Sequence, residues 1–361
     1  MKSLNKLVIV FLIVLSSLFI YAVNAKKVKR NRNLSGRKIT DLSRFNFKEG
    51  LEILDLGRNR IVDLSTLVLP STLKELYLDN NPISNLSQLN LNQGLETLFL
   101  VRNEISNVSN LTLPESLESL TLDSNQISSI DDLILNENLK ELSISRNNIT
   151  DLSNVTFPSS LRNLEFGNAE FTNTENYNFN EGLERLLISG TNISSIDDMQ
   201  FPSSLKQLIL LSSQLTTING ENLPATLEEI NFNNNFFNEF ENAKFPSGLK
   251  KLSLEFNNID GDNFADLVLP EGLEELSLSR NLLFNPKASN SPFQFPDALE
   301  NLSLPDSIKV LDLSDNSLNN LDNLDVPTSL EVLKLKKNFF SRKEKRRVRK
   351  RFKALGVKVR I

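Results

Sequence analysis

Pairs of adjacent carboxylates are the residues of this 361-residue chain that could most readily do chemistry. Two carboxylates flanking one glycosidic bond are enough for sugar hydrolysis, and Glu228 with Glu229, or Glu274 with Glu275, would supply them. Adjacent aspartates at residues 131–132 and 197–198 offer oxygen ligands of the kind that bind divalent cations. Catalysis and metal binding are therefore the first hypotheses to weigh.

The amino-acid composition removes most other chemistry. The chain contains no cysteine and no histidine. Without cysteine there is no thiol nucleophile, disulfide framework or thiolate metal site. Without histidine there is no Ser/His/Asp triad and no histidine-containing zinc site.

The paired carboxylates do not mark a unique site, because similar charged residues occur at the same place in other parts of the sequence. They belong to a recurring Leu-Glu-x-Leu or Leu-Lys-x-Leu pattern that includes Lys74, Glu96, Glu118 and Lys140. A charge repeated in every unit is typical of a solvated sheet edge, and adjacent aspartates in turns usually cap backbone groups. We therefore predict a protein without enzyme activity, cofactor or metal site.

An internal repeat explains this recurrence. The segment Leu-x-x-Leu-x-Leu-x-x-Asn-x-Ile returns every 22 residues, and three more units follow two breaks in phase, giving about thirteen units. A fixed period of this size indicates a solenoid. The units begin at Leu51, Leu73, Leu95, Leu117, Leu139, Leu161, Leu183, Leu205, Leu227, Leu249, Leu273, Ile308 and Leu330.

Each unit predicts one short strand. Leu76 and Leu78 alternate with Glu75, Tyr77 and Asp79, which is the period-2 pattern of a strand with one buried face. An asparagine follows most of these strands, where its amide can satisfy backbone groups of the turn and of the neighbouring unit. This asparagine ladder comprises Asn59, Asn81, Asn103, Asn125, Asn147, Asn235, Asn257, Asn281, Asn316 and Asn338.

These motifs resemble the leucine-rich repeat family over roughly residues 34–361. The spacing of Ile83, Leu86 and Leu89 resembles the short-repeat class typified by phosphatase-regulatory members, and the junction from Leu69-Pro70 to Leu76 resembles repeats of secreted bacterial effectors. The resemblance implies an α/β solenoid, a right-handed horseshoe with a parallel concave β-sheet. It also implies short turns or 3-10 segments on the convex side, and protein recognition by the concave sheet.

The amino-terminal segment resembles a secretory signal. Lys2 and Lys6 precede an apolar run at residues 7–23, and Ala25 offers a cleavage site. We expect residues 1–25 to be removed and the protein to be secreted or extracellular. The alternative is an uncleaved membrane anchor, because this run of 17 residues falls only slightly short of the ~20 that span a bilayer.

The remaining chain divides into three predicted parts. Residues 26–50 form a basic segment and a partial-repeat cap that includes Leu34, Ile39 and Leu42. Residues 51–340 carry the repeats, with an insertion near residues 284–307 whose loop at 284–293 is a candidate contact. Residues 341–361 form a basic capping helix, beginning in a capping box at Ser341 and ending before Gly356, and a last strand.

Charge differs sharply between the repeats and this tail. Residues 39–340 hold about 20 basic and about 44 acidic side chains, whereas residues 341–361 hold about 11 basic side chains and one acidic one. Val348, Phe352 and Leu355 form a stripe that we expect to cover the last repeat. Contact of the basic face with an anionic membrane is the alternative, while nucleic acid is a poor fit for an exported acidic body.

Asparagine sequons give candidate N-glycosylation sites, although chance alone accounts for about as many in a chain so rich in Asn, Ser and Thr. The sites are Asn33, Asn85, Asn107, Asn110, Asn148, Asn154, Asn192 and Asn301.

Two apolar clusters interrupt the polar concave face. Neighbouring units place Tyr77 beside Phe99 with Val101 next to them, and Leu187 beside Ile209 with Leu211 next to them. Clustered aromatic and aliphatic side chains are typical of interface anchors. The asparagine ladder is interrupted near the second cluster, at Ala169, Thr191 and Ser213. Either the solenoid curves differently at these repeats or the repeat sequence has drifted.

We therefore predict an exported, non-enzymatic protein that binds a protein ligand, or a peptide or glycan, on its concave face. The alternative is a membrane-anchored scaffold held by the amino-terminal segment or by the basic carboxy-terminal helix.

Overall fold

The computed structural model describes residues 30–361 except 169, 172–174, 176, 178, 241–242, 261–266, 284–298 and 300–301. The predicted signal segment, Ala169, the predicted loop at 284–293 and the sequon at Asn301 lie outside the described residues. The strands are β1 (Asn31–Asn33), β2 (Ile53–Asp55), β3 (Glu75–Tyr77), β4 (Thr97–Phe99), β5 (Ser119–Thr121), β6 (Glu141–Ser143), β7 (Asn163–Phe166), β8 (Arg185–Ser189), β9 (Gln207–Leu211), β10 (Glu229–Asn231), β11 (Lys251–Ser253), β12 (Glu275–Ser277), β13 (Val310–Asp312), β14 (Val332–Lys334) and β15 (Lys358–Arg360), and the helix is α1 (Arg342–Ala354).

The strands form one parallel sheet in chain order from β1 to β15. Strands β2 to β14 belong to the thirteen predicted repeats, while β1 and β15 extend the sheet at its two ends. Between β1 and β14 the described residues that connect the strands form turns and no helix, so the convex side of the repeats is built from short turns rather than 3-10 segments. The right-handed leucine-rich horseshoe and its parallel concave sheet are confirmed.

The core is a stack of equivalent apolar side chains, because each strand from β2 to β14 turns its second residue inward. Leu76 and Leu78 are fully buried, as are Leu98 and Leu100 one repeat later. The return segment closes on the next strand through a bond from the Leu73 amide to the Pro70 carbonyl at 3.1 Å. Burial of leucine side chains at about 1.5–3 kcal/mol each makes this stack the main source of stability.

The asparagine ladder satisfies backbone groups where most of the strands end. Asn125 Nδ2 donates to the carbonyls of Leu100 at 2.9 Å and Leu122 at 2.8 Å, and its Oδ1 accepts from the Ile105 amide at 3.1 Å. The preceding Ser124 has φ 57°, a left-handed conformation that costs a non-glycine residue about 1–2 kcal/mol. The buried amide thus holds a strained turn and joins adjacent repeats.

The ladder is replaced near the second apolar cluster by hydroxyl groups. Thr191 Oγ1 and Ser213 Oγ lie 2.7 Å apart in the buried interior, and the Ser213 amide donates to Asn235 Oδ1 at 3.2 Å. Here β8 and β9 are five residues long, whereas most strands have three. Loss of the asparagines therefore coincides with longer strand pairing.

The carboxy-terminal cap matches the predicted helix with one exception. Ser341 Oγ accepts from the Glu344 amide at 3.1 Å, and Gly356 follows the helix with φ 78°. Val348 and Phe352 are buried against the last repeat, but Leu355 is 57% exposed. The prediction that Leu355 covers the core was wrong because the helix ends at Ala354 and Leu355 forms the cap that leads into Gly356.

Candidate functional site

The concave face presents the first and third residues of each strand, and parallel pairing aligns these residues into columns. Tyr77 is paired with Phe99, and Leu187 is paired with Ile209. The structure thus places both predicted clusters on adjacent strands of this face. They are called here the aromatic patch (Tyr77, Phe99 and Val101) and the aliphatic patch (Leu187, Ile209 and Leu211).

The aromatic patch is built around a stacked pair of rings. The ring centroids of Tyr77 and Phe99 lie 4.7 Å apart with planes 8° from parallel. Tyr77 donates its hydroxyl to Glu75 Oε2 at 2.8 Å, and burial raises the pKa of this tyrosine. Phe99 is only 8% exposed, while Tyr77 and Val101 are half-buried. Tyr77 and Val101 therefore provide most of the surface that a partner can reach.

The aliphatic patch lies on the two longest strands. Ile209 is 9% exposed, and Leu187 and Leu211 are half-buried. Leu211 pairs with Ser189 rather than with another apolar residue, so the patch runs diagonally from β8 to the end of β9. Neither Phe99 nor Ile209 belongs to the contiguous interior core, although both are largely buried.

Three carboxylates that were not among the predicted site residues also lie on the concave face. Asp123 and Glu165 lie between the two patches, and Asp79 lies beside the aromatic patch, where its Oδ1 accepts from the Val101 amide at 2.8 Å. Asp123 Oδ1 accepts from the Ser143 hydroxyl at 2.7 Å and from the Ser145 amide at 2.8 Å. Burial, with the nearby charge of Glu165, raises the pKa of Asp123 to about 7. Burial likewise raises the pKa of Asp79 to about 6 and raises that of Glu165. The sequence shows that these three carboxylates occupy outward positions of the repeat. It does not show how deeply each one is buried.

Two of the four carboxylates proposed as a catalytic pair, Glu274 and Glu275, form ion pairs along the sheet, whereas Glu229 Oε2 accepts from Gln207 Nε2 at 3.3 Å. Glu274 Oε2 lies 2.8 Å from Lys309 Nζ, and Glu275 Oε1 lies 3.3 Å from Lys251 Nζ. Equivalent pairs recur in other repeats, such as Glu118 with Lys140 at 2.7 Å. These side chains therefore repeat along one sheet flank rather than converge on a single reaction centre.

The adjacent aspartates form hydrogen bonds in the turns outside the sheet. The Asp131 amide donates to Ser129 Oγ at 2.9 Å, and Asp197 Oδ1 accepts from the Asn219 amide at 3.4 Å. Among the described residues, no three acidic side chains are grouped closely enough to hold a metal ion.

The seven described sequon asparagines are all exposed. Six lie on the turns outside the sheet, whereas Asn33 lies in β1 and donates to Asp55 Oδ2 at 2.8 Å on the concave side. Glycosylation at these positions stays a prediction.

The basic tail is docked on the last repeats. Arg351 donates to the carbonyls of Leu321 at 2.6 Å and Leu324 at 2.7 Å, and Arg347 pairs with Asp322 at 2.6 Å. These hydrogen bonds satisfy backbone carbonyl groups at the carboxy-terminal end of the solenoid. Helix α1 is too short and too basic to cross a bilayer, and the rest of the described chain offers no longer helix that could.

Comparison with known proteins agrees with this architecture. A family model described as Leucine Rich Repeat matches residues 138–164, which include all of β6 and the ladder residue Asn147. The chain therefore has the leucine-rich repeat fold. No curated protein matches its sequence closely enough to count as a relative.

Solved structures from several sources share the fold. An internalin from Listeria monocytogenes is 22% identical, with a TM-score of 0.57 over 92% of this chain and 86% of that one. A leucine-rich repeat protein of Leptospira interrogans is 25% identical, with a TM-score of 0.52 over 92% and 95% of the two chains. An octameric complex of Latrophilin 3, Unc5D and FLRT2 contains a third similar chain, 21% identical with a TM-score of 0.51 over 81% and 85%.

Proposed function

We propose that this leucine-rich repeat protein is a non-enzymatic recognition module that binds another protein through the aromatic and aliphatic patches of its concave face. The observation that carries the proposal is the position of these six apolar side chains on the sheet face opposite the core. A complete row of buried leucines already fills the interior beneath them. Their apolar character is therefore not required to build the solenoid.

The competing explanation is that the patches only stabilise the sheet. A stacked aromatic pair across strands contributes roughly 0.2–1 kcal/mol, which could explain Tyr77 and Phe99. It does not account for Leu211, whose strand partner is Ser189. Large apolar side chains clustered on a surface lined by polar residues are typical of binding sites.

The fold also supports a recognition role, because leucine-rich repeats are typical of protein–protein interaction modules. One of the similar structures is a multiprotein complex in which FLRT2 contributes leucine-rich repeats. A protein ligand is therefore preferred over a peptide or a glycan for this chain.

Export from the cytosol is a separate part of the proposal and rests on the sequence of residues 1–25. Expression of the full chain in a secreting host should release a mature form beginning at Lys26. Recovery of the whole chain only with the membrane fraction would instead support the anchored alternative.

The binding proposal is tested by affinity capture with the chain from Lys26, which retains every described residue. The test variant carries Tyr77→Ser, Phe99→Ser, Leu187→Ser and Ile209→Ser. The matched control carries four serine substitutions at exposed apolar residues outside the sheet, namely Val62, Val68, Ile134 and Val268. Circular dichroism and urea melts establish that all three proteins fold alike.

A protein partner retained by the unaltered chain and the control but lost by the test variant is the expected result. Its dissociation constant, measured with the purified partner, should rise by about tenfold or more. Equal binding of that partner by all three proteins would refute the assignment of the patches.

A further inference from the structure

The carboxy-terminal end of the concave face holds a cationic groove that the apolar patches do not explain. It encloses about 240 Å³ between β12 and β15 and the turns that follow them. Five basic and two acidic side chains line it, leaving an excess of three positive charges on an otherwise acidic solenoid. The charged lining residues are Arg280, Lys334, Lys336, Lys337, Arg360, Asp312 and Asp315.

The two carboxylates of the groove are already paired with its own cations. Lys334 Nζ lies 3.1 Å from Asp312 Oδ2, and Asp315 Oδ2 lies 3.0 Å from Arg280 Nε and 3.2 Å from Lys337 Nζ. The Arg280 guanidinium also lies over the Phe256 ring, 4.1 Å from its centroid. These contacts hold three of the five cations in place before any ligand arrives.

The other two cations are not neutralised in this way. Lys336 and Arg360 are exposed at the groove, and neither side chain forms an ion pair or hydrogen bond with any other described residue. Ser279 and Ser314 add hydroxyl groups to the lining. The groove therefore combines cations held in place by ion pairs, unpaired cations and neutral hydroxyl donors in a volume that suits a small ligand.

A compact oxyanion fits this arrangement better than a single carboxylate does. A phosphate monoester carries nearly two negative charges and three acceptor oxygens, and charge-assisted bonds to lysine and arginine are the strong ones. The surrounding acidic repeats would repel an extended polyanion elsewhere on the face. We propose that this groove binds a phosphate or sulfate group, either as a free ion or carried on a partner, and this inference does not depend on the apolar patches.

Titration with inorganic phosphate tests the groove directly. The thermal midpoint of the full chain is followed with phosphate against sodium chloride at equal ionic strength, because a ligand that binds only the folded state raises this midpoint. One variant carries Lys336→Gln and Arg360→Gln. The matched control carries Lys343→Gln and Arg346→Gln on the exposed face of α1. It removes the same amount of charge at a place outside the groove. Comparison with this control cancels the general stabilisation that phosphate gives folded proteins.

We expect the apparent phosphate affinity to fall about tenfold or more in the groove variant and to change by less than about twofold in the control. A phosphoserine peptide that binds more tightly than phosphate would identify a group carried on a chain, and equal affinities would identify a free ion. An equal midpoint shift in the groove variant, the control and the unaltered chain would overturn the proposal.

Discussion

Replacement of Asp123 by asparagine should make this leucine-rich repeat solenoid more stable, and the gain should be larger at high pH. The chain itself provides the precedent at the equivalent position five repeats later. Asn233 Oδ1 accepts from the Ser253 hydroxyl at 2.8 Å and from the Glu255 amide at 2.7 Å. Asp123 Oδ1 makes the same two bonds to Ser143 and Ser145. Asp123→Asn therefore keeps the hydrogen bonds and removes a charge that the site disfavours.

The direction of the pH dependence follows from the raised pKa. Folding moves the pKa of Asp123 from about 3.8 to about 7 because burial penalises the carboxylate. The folded state therefore holds this proton more tightly than the unfolded state does, and stability falls as pH rises between these values. At about 1.4 kcal/mol for each pH unit within that window, the loss from pH 5 to pH 8 is about 2–3 kcal/mol.

Urea unfolding at pH 5 and pH 8, with midpoints and slopes compared together, measures this effect. The free energy of unfolding of Asp123→Asn should exceed that of the unaltered chain by about 2–3 kcal/mol more at pH 8 than at pH 5. Asp132→Asn, at an exposed turn, removes the same charge as a control. If Asp123→Asn and the unaltered chain lose stability equally between the two pH values, the buried carboxylate is not the cause.

Three further substitutions test the scaffold that presents the concave face. Asn125→Ala removes four hydrogen bonds to backbone groups and should destabilise the protein by about 2–4 kcal/mol. The exposed control Asn148→Ala should change stability by less than about 0.5 kcal/mol, and similar urea midpoints for the two variants would contradict the ladder's role. Gly167 has φ 144°, and an added Cβ would lie 2.1 Å from the Ser189 carbonyl oxygen. Gly167→Ala should therefore lower the melting temperature more than Gly190→Ala, where nothing lies within 4 Å of the new atom. Equal melting temperatures of the two variants would refute this expectation. Phe352→Ala should cost about 3–5 kcal/mol and expose the amides of β15 to hydrogen exchange, while unchanged exchange would show that α1 does not protect the last strand.

The repeat period was sufficient to predict the sheet and its register. A constant spacing of 22 residues puts equivalent side chains on neighbouring strands, so Tyr77 opposite Phe99 and Leu187 opposite Ile209 followed from counting alone. The buried asparagines followed from their place after each strand. In both cases a local pattern was enough because every repeat meets the same neighbours.

Properties that depend on several repeats at once were not predictable in this way. The exposure of Phe99 and Ile209 depends on how closely the side chains of adjacent strands crowd together on the concave surface. The raised pKa of Asp123 depends on the same crowding and on Glu165. The cationic groove required β15, whose Arg360 joins residues that are far away in the sequence. The orientation of Leu355 depended on the residue at which the helix ends.

The low exposure of Phe99 and Ile209 changes how the patches can act as anchors. A residue that is 8% or 9% exposed has little apolar area left for a partner to remove from water. Its main contribution is to support a neighbour, as Phe99 supports the Tyr77 ring through stacking. The half-buried residues Tyr77, Val101, Leu187 and Leu211 therefore carry most of the available contact energy. A rigid ring held in place before binding loses little conformational freedom on association, which favours affinity even where the contact area is modest.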